Sequence, residues 1–126
     1  MREIKFRAWG RRQGFFMGGM ILDIEECRGQ HECDYCFGSY LNNPSYEVMQ
    51  YTGLKDKNGQ EAYYDDIEDL MNCYWQIIWD STYAVTMLKR ISGEHSMKEI
   101  PGWNITKGEV IGNIYENLEL LKEEPK

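Results

Sequence analysis

The sequence predicts a mainly β protein, a small antiparallel barrel or strongly bent sheet built as one domain over residues 1–126. Three observations carry this expectation. Short runs alternate apolar and polar residues with a period of two, as half-buried strands do. Turn-forming residues separate these runs, most clearly in "DKNG" at residues 56–59. Helical spacing is confined to the last few residues, so layers of strands must supply the core.

The elements follow in order. In "IKFRAW" Ile4, Phe6 and Ala8 alternate with Lys5, Arg7 and Trp9, which predicts a strand ended by the turn "GRRQG". "FFMGGMILDI" predicts one or two short strands, interrupted at Gly18 and Gly19. Residues from about 25 to 45 have no apolar pattern and predict an irregular loop. Two β-prone runs, 46–52 and 60–64, flank Asn58 and Gly59, a pair suited to the positive φ of a tight hairpin. Asp65 and Asp66 predict a turn, because Asp tolerates the left-handed region better than most non-glycine residues. Next come "CYWQIIWD" and "YAVTMLK", a second hairpin joined by Ser81 and Thr82, with Cys73, Trp75, Ile77 and Trp79 on one face. Residues 92–108 read as loop, "EVIGNIYEN" as a final strand and "LELLKEE" as a short terminal helix.

The totals narrow the class. With 126 residues one core can form without disulfide staples, and the chain shows no apolar run of membrane-spanning length and no secretory h-region at its basic start. We therefore expect a cytoplasmic protein of a bacterial cell, with no membrane partner and its four cysteines reduced or bound to metal. The net charge is −7, yet residues 1–12 hold five cations against Glu3, a local +4, which leaves −11 for the remainder. Such a body repels a polyanion and disfavours general nucleic-acid binding.

Three stretches, "REIKFRAW", "MQYTGLKDKNGQEAYYDDI" and "EVIGNIYENLELL", together resemble the YopX family, small proteins encoded by phages, prophages and related mobile elements. They stand in the family's own order. Three positions depart from it: Gly10 replaces an acidic residue, Tyr64-Asp65-Asp66-Ile67 replaces Glu-Gly-Asp-Ile, and Asn117-Leu118-Glu119 replaces Asn-Pro-Glu. The resemblance implies an SH3-like β-barrel with added elements. It implies a genetic setting and no mechanism, since the family's molecular function is unassigned.

Four groups of residues could carry chemistry. "CRGQHECDYC" offers Cys27, His31, Cys33 and Cys36, the atoms a tetrahedral zinc site needs, but within ten residues and with no second hairpin to supply ligands. We read it as a solvated loop with reduced thiols, and keep zinc as an alternative. Glu61, Asp65, Asp66, Glu68 and Asp69 match no cation loop and read as a solvated acidic face. Cys27, Cys33, Cys36 or Cys73 with His31 or His95 could in principle form a nucleophile and base, yet nothing local marks any of them as activated, and Cys73 alternates with apolar residues and reads as a small buried hydrophobe. Arg2, Lys5, Arg7, Arg11 and Arg12 with Trp9 could contact a nucleic-acid backbone and stack on a base, but we read this strand as an edge protected by charge.

These readings lead to a non-enzymatic accessory protein without cofactor, acting through protein contacts with phage or host proteins and with its own copies, because nine Tyr and four Trp exceed what one small core uses. A nucleic-acid-binding module and a zinc-dependent protein are the alternatives.

Overall fold

The computed structural model describes residues 4–10, 19–21 and 43–117. These residues are mainly β: β1 (Phe6–Gly10), β2 (Gly19–Ile21), β3 (Tyr46–Lys55), β4 (Glu61–Tyr63), β5 (Asp66–Leu70), β6 (Cys73–Asp80), β7 (Val85–Ser92), β8 (Glu99–Pro101) and β9 (Glu109–Asn113), with one 3₁₀ helix at Gly102–Lys107. The strands run in the orders β2-β1-β3-β4 and β8-β7-β6-β5-β9. The opening strand, the Asn58-Gly59 hairpin, the paired β6 and β7 and the last strand all stand where the residue patterns predict them. The Cys27–Cys36 stretch, Arg2, Arg11, Arg12 and the terminal helix expected after Asn117 lie outside the described residues.

The chain divides into two compact units, Met1–Tyr51 and Thr52–Lys126. In the first, Ala8 is buried among Phe6, Ile21, Tyr46 and Val48. Here β1 pairs antiparallel with both β2 and β3, Ala8 facing Ile21 on one side and Val48 on the other. The basic strand is therefore interior to its sheet and is not the charge-protected edge that its composition suggests. A period-two pattern reports which residues share a face, and it carries no information about how many neighbours a strand has.

The second unit packs Ala62, Leu70, Cys73, Trp75, Ile77, Leu88, Ile100, Ile105 and Val110 into one core. Each fully buried Leu or Ile among them contributes about 1.5–3 kcal/mol. Trp75 is fully covered, and its indole N–H donates to Leu70 O at 3.0 Å, which satisfies the one polar atom it takes inside. Ile77 faces Leu88 across the β6–β7 ladder.

Turn chemistry sets the register. Between β3 and β4 the Gly59 N–H donates to Asp56 O and Gly59 takes φ 82°, while Asp56 Oδ1 accepts the Asn58 and Gln60 N–H groups at 2.9 Å each. Only Gly59 of the Asn-Gly pair is left-handed. Asp65, standing where the family has Gly, does adopt φ 71° between β4 and β5. Met71 and Asn72, at φ 53° and 59°, make the two-residue turn from β5 to β6, which no Gly announces.

Two expectations need correction. The β6–β7 connection is Ser81–Ala84 and not Ser81-Thr82: Asp80 Oδ1 accepts the Thr82 and Tyr83 N–H groups, and β7 starts only at Val85. Residues 92–108 are not simply loop, because β8 pairs with β7 and leads through Pro101 into the 3₁₀ helix. A three-residue strand is too short to show alternation, and its partner decides it.

Candidate functional site

The second unit leaves large apolar side chains in solvent at one end of the β6–β7 hairpin. Trp79 continues the buried face of β6 but is 50% exposed, Tyr83 in the turn is 76% exposed, and Val85 at the start of β7 is exposed too. Thr86 fixes this end. It pairs with Trp79, its hydroxyl lies 2.7 Å from Tyr64 Oη, and Gly102 approaches so closely that a Cβ there would stand 2.8 Å from Thr86 Cβ. Tyr64 meets Trp79 edge-on, with centroids 6.2 Å apart and planes at 86°. Trp103, next to Gly102, is 56% exposed, and Lys107 Nζ sits 4.5 Å from its ring centroid. Trp103 follows the glycine whose backbone lies against Thr86. Such a concentration of aromatics in water is the mark of a contact surface.

The outer strands of the five-stranded sheet offer little for strand addition. β8 ends in Pro101, which has no N–H, and the Val110 N–H of β9 already donates to Asp56 Oδ2 at 2.8 Å.

The acidic run is not a solvated face. Asp66 and Glu68 are buried, and only Asp69 of the five is well exposed. β5 lies between β6 and β9, and Glu68 is paired with Trp75 on one side and Val110 on the other. Its carboxyl is 0% exposed and neither oxygen has a hydrogen-bond partner. Burial, and then the negative charges of Asp56 and Asp66, push its pKa up to about 8; the Gly108 N–H, itself directed to Ile105 O, offsets this only in part. Asp66 accepts the Tyr63 N–H at 2.9 Å. Among the described residues no three His, Cys, Asp or Glu side chains are arranged to hold a metal ion.

The basic strand and the thiol–imidazole pair are each committed to local contacts. Arg7 is only 8% exposed and its Nη2 donates to Met49 Sδ at 3.6 Å; Lys5 Nζ lies 5.9 Å from the Tyr51 ring centroid. Cys73 is buried as expected, and its thiol donates to Glu94 O at 3.6 Å. His95 Nδ1 accepts the Met97 N–H at 3.0 Å, and its ring stands edge-on to Trp75 at 5.3 Å. The thiol and the imidazole therefore meet the same β7–β8 segment but bond to its backbone. Arg90, Gly93, Glu94, His95 and Ser96 line an open depression beside it, closed off where Arg90 Nη1 donates to His95 O.

Trp103 and Glu68 are the residues that sequence reasoning missed. Trp103 sat in a stretch read as loop, and Glu68 in a run of like charges where nothing separates a covered carboxyl from an exposed one.

No curated protein matches the chain. Among solved structures it is similar to protein EF1440 from Enterococcus faecalis, with 19% identity, a TM-score of 0.55, and coverage of 97% of this chain and 100% of that one. That likeness concerns the fold. The family described as YopX protein matches residues 5–122, nearly the whole length, and the chain belongs to the YopX family.

Proposed function

We propose that this protein is a non-enzymatic accessory protein of a phage or prophage, acting in the cytoplasm through protein contacts, the first of them with a second copy of itself. The observation that carries the reading is the exposure of Trp79 and Tyr83 on the β6–β7 hairpin and of Trp103 in the 3₁₀ helix that follows β8. Buried against a partner, aromatic rings of this kind supply most of an interface's binding energy. The mode of self-contact is thus apolar, rather than a meeting of the basic strand with an acidic face, since Arg7 and Glu68 are both buried. With this reading goes the SH3-like closure of the strands that family membership suggests. No helix among the described residues is long and apolar enough to cross a membrane.

Light scattering at about 0.15 M ionic strength tests it. The expected mass lies well above the 14.9 kDa of one chain, and replacing Trp79, Tyr83 and Trp103 by Ser returns it to one chain with the fold intact. A single-chain mass at every concentration refutes self-association. A salt-sensitive DNA complex, lost when Lys5 and Arg11 become Ala, establishes the nucleic-acid alternative instead.

A further inference from the structure

We infer that Glu68 is a proton-operated latch: with its proton it lets the β3–β4 turn close over the start of β9, and without it the turn is driven off. The parts are held by backbone hydrogen bonds. Asp56, in the turn, uses Oδ1 for the turn's own Asn58 and Gln60 N–H groups and Oδ2 for the Val110 N–H of β9. The neighbouring Lys57 N–H donates to Gly108 O at 3.0 Å. Two bonds, Val110 to Asp56 and Lys57 to Gly108, therefore tie the turn to β9.

Glu68 lies beside this tie. A Cβ on Gly108 would stand 2.9 Å from Glu68 Cδ and 2.8 Å from Asp69 O, so the carboxyl packs directly on the Gly108 backbone. Gly108 has φ −111°, an ordinary extended value, so glycine is there for space. The groups facing Glu68 from the adjacent elements are Trp75 on β6, Val110 on β9 and Gly108 before it, none of them charged. The charged groups that act on it are Asp56 from the turn and Asp66 on its own strand, both negative. No cation faces an ionised Glu68, and the only donor beside it, the Gly108 N–H, is directed to Ile105 O and offsets its burial only in part. A buried carboxylate in that setting gains by reaching water, and release of the turn that carries Asp56 also takes a negative charge from beside it. Opening admits water to Glu68 and moves Asp56 away from it in one step. The device is independent of the self-association proposed above.

Amide hydrogen exchange of the whole protein, measured across pH and corrected for the intrinsic base catalysis of exchange, tests the latch. Protection of the Lys57 and Val110 amides is expected to fall by about tenfold per pH unit between the ordinary Glu value, 4.5, and about 8, then level off, because one proton separates the closed and open states. The β6–β7 ladder keeps higher protection throughout. In Glu68→Gln the corrected protection of Lys57 and Val110 is flat over the same range. Equal profiles for the two proteins overturn the latch, as does loss of Lys57 and Val110 protection only together with the ladder. Should Glu68→Gln fail to fold, the wild-type chain decides alone. A Glu68 carboxyl ¹³C signal that titrates near 8, with the Lys57 and Val110 amide shifts following it, supports the latch; titration in the ordinary carboxylate range overturns it.

Discussion

Replacing Glu68 by Gln is expected to convert a stability that falls with pH into one that does not. The wild-type side chain has a folded-state pKa of about 8 and an ordinary value of 4.5. Below 4.5 both folded and unfolded chains carry the proton, and Glu68 leaves stability unchanged. Between 4.5 and 8 the unfolded chain has lost the proton and the folded chain keeps it, so rising pH favours unfolding. Each unit costs about 1.36 kcal/mol, which sums to on the order of 5 kcal/mol by pH 8 and stays constant above it. At pH 7 the loss is on the order of 3 kcal/mol by the same rule, a large share of a stability of about 5–15 kcal/mol. Gln matches Glu in size and cannot ionise. It should equal the wild type near pH 4.5 and exceed it progressively toward pH 8. Urea denaturation of both proteins at unit steps of pH reads the difference, and other titrating groups cancel in the comparison. Parallel stability curves would show that Glu68 is solvated or paired in solution and refute the reasoning.

Three further outcomes are expected. Gly59→Val should cost about 1 kcal/mol in urea unfolding from the strain of φ 82° on a β-branched residue, since a Cβ there has open space around it; an unchanged midpoint contradicts the turn geometry. Gly108→Ala should cost about 1–3 kcal/mol, because its methyl meets the fixed Asp69 carbonyl and the buried Glu68 carboxyl, and a wild-type midpoint would show that β9 stands further from β5. Protein purified without chelator should carry no stoichiometric zinc, and Ser at Cys27, Cys33 and Cys36 should change stability by less than about 0.5 kcal/mol; one zinc per chain, lost with the fold in that variant, establishes a structural metal site.

The sequence by itself determined most of the longer strands and the buried face of β6. The alternation of Cys73, Trp75 and Ile77 identified a buried face, and "DKNG" and Asp65 located two turns, because side-chain direction and turn backbone are local properties. It also carried the family, through three separated blocks in one order. What only the tertiary structure decided were the neighbours of each strand. β1 became interior because two other strands pair with it, and Glu68 became a core residue on a strand that β6 and β9 flank. Trp79, on the same face of β6 as Trp75, stayed half in water because the core ends before it. Burial is set by what packs from elsewhere in the chain, and a period of two specifies a side and never the cover laid on it.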